Sequence, residues 1–186
     1  MKRGNAAVMA ALALMSAYAR GSECVTVTLY GTQQIPMGAL LVAEQTASQT
    51  FREIGVSIYW RITSSAPETC VEIGVRFTSN SPAEFHPGAL AYALPYQKGG
   101  TQIVVFSNRV LCYGSDRQNG VFLGHVASHE IGHALEGINR HSREGLMKAQ
   151  WGNREMRQMF VRSLPFAGED AELIHLGLLT HLDPAR

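Results

Sequence analysis

Val25, Val27 and Leu29 alternate with Thr26, Thr28 and Tyr30, the two-residue period of a strand with one buried face. Leu40, Ala43, Ala47, Phe51 and Ile54 then recur at steps of three and four, which predicts an amphipathic helix closed by Gly55. Alternation returns at Val56, Ile58 and Trp60, and after a polar loop at 63–69 it returns at Val71, Ile73, Val75 and Phe77. Strand, helix, strand, loop, strand implies a largely parallel sheet with right-handed crossovers. Residues 90–96 and 102–107 form the next pair, and the Gly99-Gly100 step between them suits a hairpin, so one of these strands runs antiparallel. Pro95 removes a backbone donor and places the first of them at a sheet edge. A loop at 112–119, a helix from Gly120, and helices at 153–161 and 169–180 complete the pattern. The expected fold class is α/β of the α+β kind, a mixed, mostly parallel five-stranded sheet with an antiparallel edge strand and helices packed on it.

The beginning of the chain changes where this domain is expected to work. Lys2 and Arg3 precede an apolar stretch at 6–15, and Ala17-Tyr18-Ala19 matches a small-residue cleavage site. Residues 1–19 therefore read as a signal peptide cut after Ala19, and residues 20–186 as one secreted or periplasmic domain. The apolar stretch is too short to span a bilayer, and nothing later resembles a membrane segment. Removing 19 of the 186 residues leaves 167, enough for one real core. It also leaves 14 basic residues against 15 acidic ones. With no basic block and no aromatic–basic interleaving, a nucleic-acid partner is not expected. The three aspartates, Asp116, Asp170 and Asp183, do not cluster as in a calcium loop, so no calcium site is expected. Only residues 20–23 separate the cleavage site from the first strand, which leaves no room for an inhibitory pro-segment. Cys24, Cys70 and Cys112 all enter an oxidising compartment, where three cysteines make one disulfide and leave one thiol over, unless all stay reduced in the core.

The candidate chemistry lies in His129-Glu130-Ile131-Gly132-His133. Two histidines four apart project from one face of a helix, one turn apart, and can reach a single metal ion, with Glu130 beside the open position. Gly137 follows one turn later and can end the helix in the left-handed conformation, so that the chain turns back and presents His141. Three protein ligands with one position open is the pattern of a catalytic zinc, whereas four ligands would close the site. His125 continues the same face, but it starts about 12 Å from His133, too far to share an ion, and a supporting role is expected. His86, His175 and His181 lack partners at ligand spacing. Two alternatives stay open on these residues. Glu155, on a later helix, is a candidate third ligand of the gluzincin kind. A zinc-stabilised binding domain without turnover is the other, although it has no need of Glu130.

The stretch HEIGHALEGINRHSREGLM resembles the metzincin signature HExxHxxGxxH followed by a methionine turn. In that signature the third ligand stands six residues after the second histidine. Here Asn139 holds that position and the histidine arrives at His141, with the glycine displaced by one to Gly137. His141-Ser142 and Leu146-Met147 resemble the His-Ser…Leu-Met run of matrix metalloproteinases, and RHSREGLMKAQW is similar to short secreted metzincin-like proteins of bacteria. The resemblance is strong over roughly residues 121–151. It implies a secreted zinc endopeptidase with His129, His133 and His141 on one zinc ion, Glu130 as general base, and Met147 in a structural turn that floors the metal. It implies a peptide or protein substrate paired along the edge strand 90–96, and a monomer. A tyrosine helper found in some metzincins is replaced here by Ala149. The metzincin-like sheet also sets the strand that starts near Cys24 parallel to and beside the one that starts near Cys70, which implies a Cys24–Cys70 disulfide and a free Cys112.

Overall fold

The alternating stretches become strands and the three-and-four stretches become helices. The computed structural model describes residues 23–61, 69–81, 88–97 and 100–181. The strands are β1 (Cys24–Tyr30), β2 (Ser57–Trp60), β3 (Val71–Thr78), β4 (Ala91–Gln97) and β5 (Gly100–Phe106). They form one sheet in the order β2-β1-β3-β5-β4. Every pair is parallel except β4 with β5, so the antiparallel strand is an edge. Its register shifts between Leu94 and Gln97, around Pro95, where the ladder lacks a donor.

The helices are α1 (Met37–Arg52), the single turn α2 (Ser107–Val110), α3 (Asp116–Glu136), α4 (Asn153–Met159) and α5 (Gly168–His181). Val25 and Val27 of β1, Ile73 and Val75 of β3, and Ile103 and Val105 of β5 are buried in one core with Ala39, Ala43 and Phe51 of α1 and Leu123 and Ile131 of α3. The two long helices pack along each other because α3 lacks side chains where they meet. A Cβ on Gly120 would lie 2.5 Å from the Ala39 carbonyl oxygen, and one on Gly124 would lie 2.8 Å from that of Ala43. Burial of this whole crossing holds α3 rigidly under the sheet edge, where its histidines are needed.

Several boundaries differ from the periodic pattern, most by one or two residues. The helix expected from Gly120 begins at Asp116, because Ser115 caps it: the Gln118 backbone N–H donates to Ser115 Oγ at 3.3 Å. Residues 116–119 are polar and show no apolar period, so hydrophobic patterning cannot see the first turn. The strand expected to run through Ser107 stops at Phe106, and the chain turns at once into α2. The helix expected at 153–161 ends at Met159. The signal-peptide stretch 1–19, most of the loop at 63–69, His86, the turn at 98–99 and the His181 side chain lie outside the described residues. Among the described residues, no helix is long and apolar enough to cross a membrane.

Cys24 opens β1 and Cys70 directly precedes β3, with Val25 paired to Val71. Their Cα atoms are 4.9 Å apart and the two sulfurs are bonded, while Cys112 is an exposed free thiol. Non-reducing peptide mapping should therefore recover Cys24 linked to Cys70, with Cys112 alkylated without reduction. Replacing both bonded cysteines by alanine should destabilise the fold by about 4 kcal/mol, the chain-entropy value for a loop of this length, read from denaturant midpoints.

Gly177 of α5 offers a second test of packing. A Cβ there would lie 1.7 Å from the Leu135 carbonyl oxygen. Alanine would raise helix propensity by up to ~1 kcal/mol, but overpacking against backbone costs about 1–3 kcal/mol. Gly177→Ala should therefore lower the thermal midpoint rather than raise it.

Candidate metal centre

Helix α3 carries one continuous functional stripe, Phe122, Val126, His129 and His133, at steps of four, three and four. The helix stops at Gly137, which takes the left-handed conformation at φ 67° while its N–H donates to the His133 carbonyl. The chain then doubles back and His141 faces the two helical histidines. His133 Nε2 lies 3.0 Å from His129 Nε2 and 3.3 Å from His141 Nε2. All three ligand atoms lie within 4.8 Å of one another. Two nitrogens held at about 2.0–2.1 Å by a tetrahedral zinc ion stand about 3.3 Å apart, so two edges of this triangle already match a zinc face.

The protonation of the group also fits a cation. His129 Nδ1–H donates to the Leu146 carbonyl at 2.9 Å, which leaves the Nε2 lone pair of the neutral ring aimed at the cluster. Burial, assisted by the neighbouring imidazoles, depresses both His129 and His133 to a pKa of about 4. Both are thus neutral donors near pH 7. One proton on His133 Nε2 serves only one of its two neighbours well. A metal ion serves all three.

A turn at 142–147 supports the group from below. The Ser142 N–H donates to the Met147 carbonyl at 2.8 Å, and the Leu146 N–H to the Pro165 carbonyl at 2.8 Å. Gly145 takes φ 74° at a point where a Cβ would sit 2.5 Å from the Pro165 oxygen. Met147 is buried against Gly132, whose missing Cβ would fall 2.8 Å from the Met147 sulfur. The glycine between the two helical histidines therefore makes room for the methionine. The Leu146 carbonyl also accepts from Trp151 Nε1 at 3.0 Å.

Glu130 is next to the first histidine and lines the open space around the group. Burial raises its pKa to about 7 in the metal-free chain. The space has two lobes. One, of about 530 Å³, runs past Leu90, Phe122, Val126, Trp151 and Met156, and the other, of about 510 Å³, runs past Tyr92, Ala93, Ile138 and Asn139. Both touch His129, Glu130 and His141, and both run beneath β4. Phe122 and Met156 are not among the residues that the sequence motifs single out, whereas Trp151 closes the run RHSREGLMKAQW. The stripe through Phe122, Val126 and His129 is a signal for Phe122, whereas Met156 comes from chain that folds back only in three dimensions.

Other histidines and carboxylates stand apart. His125 is fully buried, donates from Nδ1 to the Val121 carbonyl at 2.7 Å and accepts from the Leu164 N–H at 3.0 Å. It ties α3 to the segment before α5 and faces no metal group. His175 Nδ1 bonds the Glu23 carboxylate. The alternative third ligand, Glu155, does not join the histidines. Its carboxylate holds Lys148 at 2.9 Å and accepts from the Gly152 N–H at 2.9 Å, and the chain presents His141 in its place.

No protein-family model matches the sequence, and no curated protein matches it. Among solved structures, the chain is similar to archaemetzincin from Methanopyrus kandleri, with a TM-score of 0.52 at 16% identity over 87% of this chain and 99% of that one. That likeness shows a shared fold, in agreement with the mixed sheet and helix arrangement described above.

Purified protein should carry about one zinc ion, removable by chelator. Elemental analysis should find zinc lost from His141→Ala but retained by Glu155→Ala and by His125→Ala, the last of which should be less stable because Leu164 N–H loses its acceptor.

Proposed function

We propose that the chain is an exported zinc-dependent endopeptidase, a signal peptide at 1–19 followed by a single catalytic domain at 20–186 that acts as a monomer. The observation that carries this reading is the convergence of three imidazole nitrogens beside Glu130, in a cleft that is open on both sides of them. Three ligands leave a position for water and substrate. A cleft that continues in both directions accommodates a chain that extends past the reacting bond at both ends, which favours cutting within a polypeptide over trimming at a terminus. Export is supported by the pattern at 1–19 and by the disulfide, a bond of oxidising compartments.

His129, His133 and His141 would hold the ion, which when bound supplies a Lewis acid and lowers the pKa of water toward about 7. The remaining work belongs to the chain. The edge strand β4 orients an extended peptide by main-chain hydrogen bonds. The larger lobe takes a substrate side chain against Phe122 and Trp151. Glu130, a carboxylate poised near neutral pH, accepts a proton from the attacking water and returns it to the departing amine. The partial burial of Glu130 strengthens these charge interactions.

Mature protein loaded with zinc should cut peptides from a diverse library, with cut sites read by mass spectrometry. Glu130→Gln should keep fold and zinc while losing at least ~10²-fold in rate, the size of a lost general base. Zinc binding without cleavage by either form would leave a zinc-stabilised binding domain instead.

A further inference from the structure

His141 lies between Arg140 and Ser142, and while its ring meets His133, both neighbours turn away to another partner. Both neighbours reach the same atom. Arg140 Nη2 donates to Asp170 Oδ1 at 2.6 Å, and Ser142 Oγ donates to that same oxygen. The other oxygen, Oδ2, accepts from the Ala167 N–H at 3.0 Å, which caps the start of α5. Asp170 is fully buried. A buried carboxylate is tolerated only where its charge is paired and its lone pairs are used, and here three donors meet it. Arg140 is further flanked by Glu136 at 3.8 Å and Glu169 at 3.6 Å, but only Asp170 also holds Ser142.

We propose that Asp170 is a positioning residue for the metal centre, fixing the segment that presents His141 by gripping the residues on both sides of it. The proposal rests on the zinc reading of the histidine cluster and adds to it the C-terminal helix as the anchor of the third ligand. Asp170 makes its hydrogen bonds to Arg140, Ser142 and Ala167 and to none of the three histidines. It restrains the backbone on either side of His141, so that the ring does not have to be ordered when metal binds.

Zinc affinity, measured by competition with a chromophoric chelator, and the visible spectrum of the cobalt-substituted protein test this. Each variant is compared at a temperature where circular dichroism shows it folded. Asp170→Ala should weaken zinc by roughly 10–100-fold, the range for partners that orient metal ligands, and move the cobalt bands toward those of His141→Ala. Arg140→Ala combined with Ser142→Ala leaves the Ala167 cap intact and should produce a comparable loss. Adding Asp170→Ala to that pair should weaken zinc little further, because all three act through one contact. If Asp170→Ala lowers stability but keeps wild-type zinc affinity and cobalt spectrum, the residue is only a helix cap and the proposal fails. It fails equally if the Arg140 and Ser142 double variant binds zinc as wild type does. If wild-type protein binds no zinc, the reading of the cluster fails first and the proposal with it.

Discussion

Three ring nitrogens turned toward one small space repel through their lone pairs where no proton or cation lies between them, and much of this chain is arranged to hold them there. His129 is aimed by the Leu146 carbonyl, which fixes both its tautomer and its ring plane. That carbonyl is itself placed by a turn whose backbone is bonded to Ser142 at one end and to Pro165 at the other. Ser142 is the residue after the third histidine. The first and third histidines are therefore not independent: one short turn orients the first and anchors the neighbour of the third. Such linkage suits a site whose donors must be in place before the ion arrives, since a preset geometry removes the ordering cost from binding.

The same burial that holds the histidines also sets their chemistry. Helix α3 is covered on most of its surface, by α1 through Gly120 and Gly124 and by the methionine turn at Gly132. Low-dielectric surroundings disfavour charge, so they keep imidazoles neutral and hold a carboxylate near its neutral form. In His129 and His133 that effect yields lone pairs at neutral pH, and in Glu130 it yields an acid–base group near pH 7. One physical cause thus tunes both the proposed ligands and the proposed base. A more exposed helix would keep the histidine spacing and lose much of this tuning.

Much of this is legible along the chain, for identifiable reasons. Strands β1, β3 and β5 show because their period of two is carried by Val and Ile facing a core, and α1 shows because its apolar stripe faces the same core. The histidine cluster shows because helix spacing is local. What does not show is set by other causes. The first turn of α3 is fixed by the Ser115 cap within a polar stretch, and α2 is a single turn with no period to detect. The turn that presents His141 is, by contrast, legible, because Gly137 is placed to end the helix in the left-handed conformation, as it does. In the sequence Asp170 shows only as a favourable charge at a helix start, because its bonds to Arg140 and Ser142 cross about thirty residues of chain.

The displacement of the third histidine illustrates how parity governs such a loop. Moving a ligand by one residue along extended chain would send it to the opposite face, whereas moving it by two restores the original face. Residues 137–139 and His141 line the same lobe of the cleft, while Arg140 and Ser142 both turn to Asp170. Between the helix end and this segment, Gly137 reverses the chain and Ile138 is exposed. A shift of two is thus compatible with both requirements of the segment, an imidazole on the metal side and an anchor on the other. A shift of one would have exchanged them, placing Arg140 toward the other histidines and burying the third against Asp170. The same segment thus offers an imidazole on one side and an anchor on the other.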